Sequence, residues 1–572
     1  MNATQLLAHF DRLAEAPNAV PRLRRFILDL AVRGKLVEQD TGDEPAVELL
    51  KRIQAEKARL ATLGLIKREK AAAAIETTAE LPPPGWALCR WHSIAKKIGD
   101  IDHKMPDTVA GGVPYVSPRD FYPNNVINFE GAKLISRADY LRLAAKIKPD
   151  IDDLIYPRYG TIGENRLVTV QREFLASYSC AVVKTLTGFV DPKYQYIFSI
   201  SGCCKDQAKA AENKNTQANV GIASIQQYIV ALPPLSEQHR IVVKVDELMA
   251  LCEQLEAAQQ ERERRRDRLA AASLQRLNQP AADATPEAQR EHARFHLQHL
   301  PSLTTRPEHI KAMRQTILNL AVRGLLVSQD ETNEPAATLL KEIQRDKLQL
   351  LRLGAIPKNK PIAGEASLTF SIPALWQAVR LGDVCNLITS GSRGWAEFYA
   401  QSGPKFLRAQ NIRFGRLRLD DLACVNPPVK SEGARTQVQA GDLLIVITGA
   451  GVTNPALLER DLGEAYVSQH VALVRPSNVV LSQWLLLCLM GGPSGRDELV
   501  ERAYGAGKPG LNLDNIRSLS MPIPPLAEQR RIVAKVDELM ALCVQLEAQL
   551  TTTQTDSRRL LEAVLEAALT PA

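Results

Sequence analysis

The sequence predicts an α+β chain built from one large unit used twice, each copy pairing a β-rich domain with helices and ending in a long helix. Three observations predict this. Residues 233–257, PPLSEQHRIVVKVDELMALCEQLEA, return at 524–548 as PPLAEQRRIVAKVDELMALCVQLEA, with 21 of 25 positions identical. A second pair of segments, 27–51 and 317–341, repeats at nearly the same interval. Between the repeated helical segments lie two stretches of short β-like runs broken by Gly, Pro and Asn.

The 233–257 repeat reads as the start of a long helix. Pro-Pro closes an extended run, because proline disfavours helical geometry in the residue before it. Ser236 or Ala527 then opens a helix with Glu237 or Glu528 in its first turn, where the helix dipole favours an acid. Ile241, Val245, Leu248, Cys252 and Leu255 recur at spacings of 4, 3, 4 and 3, as do Ile532, Val536, Leu539, Cys543 and Leu546. Such a narrow apolar seam is the pattern of a coiled coil. From Ser236 to Leu277 the helix would run roughly 60 Å at 1.5 Å per residue. An ordinary bundle helix would suffice for one copy; two copies, one closing each half, favour a paired spacer.

The other repeat carries Ile27-Leu28-Asp29-Leu30-Ala31-Val32-Arg33-Gly34 and its counterpart Ile317-Leu318-Asn319-Leu320-Ala321-Val322-Arg323-Gly324. Gly34 and Gly324 should stop one helix, and the acidic turn before Pro45 or Pro335 should start the next. The expected order is a helical region over 1–83, a β-rich domain over 84–235 and a long helix over 236–278. A linker over 279–305 follows, then a second helical region over 306–372, a second β-rich domain over 373–526 and a second long helix over 527–572. The two β-rich domains share landmarks (Trp86 with Trp376, Arg90 with Arg380, Pro114 with Pro404, Asp153 with Asp442) but few other residues. Helices that keep their sequence while the domains between them diverge suit a common frame carrying two different readers.

Bulk composition narrows the class. At 572 residues and 45% hydrophobic content the chain should be a soluble protein of several domains. The start, MNATQLLAHFDRLAEA, lacks the pattern of a signal peptide, and the most apolar run, 484–490, is too short to cross a bilayer. Nine cysteines with no CxxC pair suggest reduced thiols in a cytoplasmic protein and no metal site. The net charge of +7 is compatible with a polyanionic partner.

PPLxEQxRIVxKVDELM after a divergent domain, twice in one chain, resembles the specificity (S) subunit of type I restriction–modification enzymes. The segment LAVRGKLVEQD, residues 30–40, resembles the longer-chain subfamily with a duplicated N-terminal helical region. The resemblance implies two target-recognition domains, each reading one half of a split, asymmetric sequence in double-stranded DNA. It implies that the long helices pair as an antiparallel coiled coil, set the gap between half-sites and dock two modification (M) subunits. Those subunits would bind S-adenosylmethionine and methylate adenine, and the resemblance leaves room for two restriction (R) subunits that use ATP and magnesium against phage DNA. No cofactor is expected on this chain.

The residues agree that this is a reader and not the enzyme. An adenine methyltransferase needs an Asn/Asp-Pro-Pro-aromatic motif to hold the flipped base, whereas Asn426-Pro427-Pro428-Val429 ends in valine. Gly449-Ala450-Gly451 is a lone GxG, and the glycine-rich run 505–510 lacks the spacing of a phosphate loop.

Reading DNA calls for hydrogen-bonding forks at base edges and cations at phosphates. In the second domain Lys405, Arg408, Gln410, Asn411 and Arg413 cluster, with Arg416 and Arg418 close behind. In the first domain Ser117, Arg119 and Asp120 hold the matching place, with Arg158 and Tyr159 before Gly160. Arg393 and Lys508, each in a glycine-rich turn, could reach phosphates. Two similar domains on one face of a duplex are expected about one turn apart, roughly 10 bp, leaving a gap of about 6–7 bp between half-sites of about 3–4 bp. The alternative is a coiled-coil scaffold whose β-rich domains bind protein; it leaves the basic clusters at equivalent places unexplained.

Overall fold

In each half a helix stops at a glycine. In the computed structural model, described over residues 16, 18–68, 75, 81–212, 219–279, 284–299, 304–358, 364–391, 393–427, 433–504 and 509–569, Gly34 and Gly324 both take positive φ, 66° and 69°. The N–H three positions past each helix folds back in the same way, Lys35 to Leu30 O and Leu325 to Leu320 O, both at 3.0 Å. A β-carbon at Gly34 would come within 2.4 Å of Pro83, so the close approach also requires glycine.

The chain divides into two compact units, Met1–Arg262 with Gln554–Ala572, and Glu263–Thr553. Both boundaries fall inside long helices. The first unit contains helices α1 (Ala19–Val32) and α2 (Ala46–Thr62). Strands β1 (Ala87–Arg90), β2 (Ala95–Gly99), β3 (Thr108–Val116), β4 (Lys133–Ile135), β5 (Leu154–Pro157), β6 (Arg166–Leu167), β7 (Leu175–Ala176) and β8 (Cys180–Thr185) follow. Helices α3 (Pro192–Ile200) and α4 (Gly202–Ala210), strand β9 (Ile229–Leu232) and, as far as Arg262, the 44-residue helix α5 (Leu235–Asn278) come next. The domain is closed by β1 pairing antiparallel with β9, Ala87 opposite Leu232. Inside lie a four-stranded sheet, β2-β8-β5-β6, and a three-stranded sheet, β4-β3-β7. Trp91, fully buried, packs edge-on against Tyr156 and Phe198 at 5.9 and 5.3 Å and centres the core.

The second unit contains α6 (Pro286–Gln298), α7 (Pro307–Val322) and α8 (Ala336–Arg352). Its strands are β10 (Gln377–Arg380), β11 (Cys385–Ser390), β12 (Tyr399–Leu407), β13 (Ala423–Val425), β14 (Leu443–Val446), β15 (Pro455–Leu457), β16 (Ala465–Val467) and β17 (Val471–Pro476). Helix α9 (Ser482–Met490), strand β18 (Ser520–Ile523) and the 44-residue helix α10 (Leu526–Leu569) end the chain. The topology repeats: β10 with β18, β11-β17-β14-β15, and β13-β12-β16. The landmark aspartates explain themselves here. Asp442, 1% exposed, takes both forks of Arg475 on the next strand at 2.8 and 2.7 Å, and Asp153 is paired with Lys184 at the matching place.

The long helices pack as expected in part and differ in one respect. Arg24 pairs with Glu256 and Asp43 with Arg240, both at 2.8 Å, so α5 runs back along the chain that contains α1. Ile241, Val245 and Cys252 are buried, and Leu248 and Leu255 half-buried, in one core with Leu23 and Ile27. In the second unit Arg314 meets Glu547 at 2.7 Å, and all of Ile532, Val536, Leu539, Cys543 and Leu546 are buried in one core with Ile310, Met313 and Ile317. The end of α5 lies along α7 in the same direction, through Arg306–Glu263 at 3.2 Å and Asn278–Thr316 at 2.8 Å. Within this unit it therefore runs antiparallel to α10. The seam pattern suggested two partners; a third helix, α1 or α7, joins because its own apolar face must also be buried.

Each long helix is locked to its domain by a buried acid. Glu237 accepts from Trp86 Nε1 at 2.9 Å and Gln39 Nε2 at 3.1 Å; Glu528 accepts from Trp376 at 3.1 Å and Gln329 at 2.7 Å. Burial raises both carboxyl pKa values above the ordinary range, outweighing these hydrogen bonds. The stretch expected as a linker, 279–305, contains α6, which Thr285 caps by accepting from Ala288 N at 3.2 Å. Its Ala293 is buried with Leu277 and Leu320, which gives α6 an apolar face to pack.

Candidate nucleic-acid interface

In each β-rich domain the two inner sheets finish at one rim. In the first domain β5 ends at Pro157 opposite Cys180, where β8 begins, and β2 ends at Gly99 opposite Val182. The parallel strands β3 and β7 end beside one another, and Ser177 N donates to Val116 O at 2.7 Å. Four segments therefore meet: the one after β2, the one after β3 at 117–120, the one after β5 at 158–160, and the turn 177–180. In the second domain the segments after β11, after β12 at 408–413, after β14 at 447–451, and the turn 468–471 meet in the same way. Most of the residues singled out from the sequence, far apart in the chain, thus belong to one rim per domain.

Four hydrogen bonds fix this frame identically. Cys180 N donates to Ser177 O at 2.9 Å and Val471 N to Ser468 O at 3.0 Å. Ser177 N to Val116 O is matched by Ser468 N to Leu407 O, at 2.9 Å. Arg158 N donates to Ser179 O at 2.8 Å, and Ile447 N to His470 O at 2.9 Å. Val220 N donates to Arg158 O, and Leu511 N to Ile447 O, both at 2.9 Å.

Part of the candidate set builds the frame. Asp120, 4% exposed, accepts from Ser117 N and Oγ at 2.8 and 2.9 Å and closes a tight turn. Asn411, fully buried, does the same for Arg408 N at 3.0 Å and donates to Asp421 O at 2.9 Å. Arg158, 6% exposed, donates to Val220 O at 3.0 Å and pairs with Asp100, and its guanidinium lies over the half-buried Tyr159. DNA contact is the expectation for Asp120, Asn411 and Arg158; all three are buried and engaged within the protein, where they hold the rim.

The rest stand on the surface. Arg119, Arg393, Lys405, Gln410 and Arg413 are exposed, and Arg408 is half-buried with Nη2 on Asp421 O at 3.2 Å. Arg413 sits directly across a two-stranded hairpin from the exposed Arg416. Like charges in that position repel, and an anion between them relieves the repulsion. Beside them Arg496 lies over the Phe414 ring at 5.0 Å. Lys508, Pro428 and Val429 lie outside the described residues.

The turn tips, Tyr178-Ser179 and Gln469-His470, went unnoticed in the sequence. The available signal was Ser177 and Ser468, identical residues at the repeat interval, each followed by two residues that differ and then by a β-like run. Among the described residues, no group of three or more His, Cys, Asp or Glu side chains could hold a metal ion, and no helix is long and apolar enough to cross a membrane.

Comparison with known proteins finds relatives for both halves of the chain. The family described as the type I restriction modification DNA specificity domain matches twice, over residues 85–263 and 373–553. The specificity subunit of the type I restriction enzyme EcoAI of Escherichia coli is 28% identical over 569 residues, covering 96% of this chain and 94% of that subunit. The EcoEI specificity subunit, from the same organism, is 28% identical over 585 residues with the same coverage. Among solved structures, the HsdS subunit from Thermoanaerobacter tengcongensis aligns with a TM-score of 0.42 and 18% identity, over 85% of this chain and 97% of that one. With both halves of the chain matched, the protein belongs to the family of type I restriction–modification specificity subunits.

Proposed function

We propose that the chain is the sequence-specific DNA-recognition subunit of a type I restriction–modification complex, each β-rich domain reading one half of a split, asymmetric target. The observation that carries this reading is the repeated rim: one backbone frame, built twice with the same hydrogen bonds, presents different side chains in the two domains. A frame held constant while its exposed residues differ is suited to two different half-sites. The exposed cations supply phosphate contacts, which give affinity and register, and the polar forks supply base contacts.

In this reading the long helices space the half-sites and dock two modification subunits. The modification subunits hold S-adenosylmethionine and methylate adenine; two restriction subunits, where they join, use ATP and magnesium. This chain holds no cofactor and acts in the cytoplasm, where the DNA is. The test is N6-methyladenine-sensitive sequencing of a methylation-free host that expresses this chain with its modification subunit. A single motif of two defined blocks separated by a gap of about 6–7 bp supports the reading. A contiguous motif, or none with a modification subunit that binds S-adenosylmethionine, contradicts it.

A further inference from the structure

The turn that closes each rim carries two residues whose backbone is held the same way in both domains and whose side chains share nothing. Main-chain bonds fix the turn on three sides: to the following strand (Cys180 N to Ser177 O, Val471 N to Ser468 O), to the end of β3 or β12, and to the segment after β5 or β14. None of these bonds uses the side chains at the tip. At the tip stand Tyr178 and Ser179 in the first domain and Gln469 and His470 in the second, the last two exposed.

The second pair is pre-set for a base. His470 Nδ1 lies 2.6 Å from Thr448 Oγ1, and its Nε2 lies 3.2 Å from Gln469 Nε2. With Nε2 accepting from the amide, the ring proton sits on Nδ1 and is donated to the threonine hydroxyl. One N–H of Gln469 is used in this way; its carbonyl oxygen and second N–H, on an exposed side chain, make the donor–acceptor fork that matches adenine N6 and N7. In the first domain Tyr178 is set differently: its ring lies 5.8 Å from that of His103, its N–H meets Tyr115 Oη at 3.3 Å, and Ser179 Oγ is 2.6 Å from Ser177 Oγ.

We infer that the turn tip is a base-reading element in each domain, Gln469 recognising an adenine with His470 and Thr448 as positioning residues, and Tyr178-Ser179 reading a different base at the equivalent place. The inference rests on the DNA-reading role proposed above. It predicts that Gln469→Ala relaxes one position in one block of the methylated motif, by roughly tenfold or more in discrimination, with the other block unchanged. Gln469→Glu, nearly the same shape, should move the preference at that position from adenine towards cytosine, because a carboxylate accepts from cytosine N4. Tyr178→Ala should act on the opposite block.

The experiment is N6-methyladenine-sensitive sequencing of the complete complex, with wild type and the three variants in parallel. Competition binding on duplexes carrying single-base substitutions supplies the readout for any variant that binds without methylating. Unchanged motifs and binding preferences in Gln469→Ala and Gln469→Glu, or changes of both blocks at once, overturn the inference. A wild-type complex with no split motif would instead remove the reading beneath it, so the two failures are distinguishable.

Discussion

Trp86 Nε1 donates to Glu237 Oε2 at 2.9 Å, and Trp376 Nε1 donates to Glu528 Oε2 at 3.1 Å. The tryptophan stands at the entry to each β-rich domain and the glutamate in the first turn of the long helix that leaves it. One bond thus joins the two ends of the domain to the frame, beside the pairing of β1 with β9 and of β10 with β18. Trp86→Phe leaves a buried carboxylate one donor short, which costs about 1–3 kcal/mol. The thermal transition of the first half should fall while that of the second holds; Trp376→Phe should do the reverse. Calorimetry of the two variants reads both.

The same acids set a pH dependence. Burial raises the pKa of Glu237 and Glu528 above the ordinary 4.5, so each binds its proton more tightly folded than unfolded. Their contribution to stability is present in full below 4.5 and is lost as pH rises through the raised folded value. Glu237→Gln carries no such proton, so the melting temperature of wild type relative to this variant should fall as pH is raised from 4.5 towards neutrality. A difference that stays constant over that range would contradict the assignment. Asp29, whose pKa burial also raises, acts in the same direction and remains in both proteins.

Asp442 and Arg475 form a two-pronged ion pair across neighbouring strands, with the aspartate 1% exposed. Arg475→Ala strands a buried charge and should destabilise the second domain by about 3–5 kcal/mol. Asp442→Asn with Arg475→Gln, which removes both charges, should cost less than the single change. Denaturant unfolding of the single and double variants measures the coupling.

Arg413 and Arg416 face one another across their hairpin, and the proposed function makes them phosphate contacts. Arg413→Ala with Arg416→Ala should lower affinity about equally for target and non-target DNA. It should reduce the slope of log K against log salt by about 2, close to one per lost contact. Binding titrations at several salt concentrations check this; an unchanged slope would place the hairpin off the DNA.

The architecture was legible because the duplication preserves the residues that make the frame: Gly34 and Gly324 at helix ends, the apolar seams, and Asp153 and Asp442 in the sheet. The rim was half legible. Clustered arginines announce a charged surface, but sequence does not show that Asp120 and Asn411 turn inward to cap backbone, because an acid or amide does either with equal ease. Glu237 reads as a first-turn acid favoured by the helix dipole, and its buried partner Trp86 stands 151 positions away. The helix α6 was hidden by the Pro and Ala around it, although Thr285-Pro286 is a sound helix start. The turn tips carry only the faint mark of Ser177 and Ser468 at the repeat interval, since what sets them is a backbone made by strands distant in the chain.

The most direct test of the central claim is an exchange of one domain. Residues 87–232 are replaced by the corresponding stretch of the EcoAI specificity subunit, leaving Trp86, Glu237 and the long helices in place, and the methylated motif of the resulting complex is sequenced. If each domain reads its own half-site, one block of the motif changes and the other, with the gap between them, stays as it was. A motif altered in both blocks, or in neither, would contradict the account.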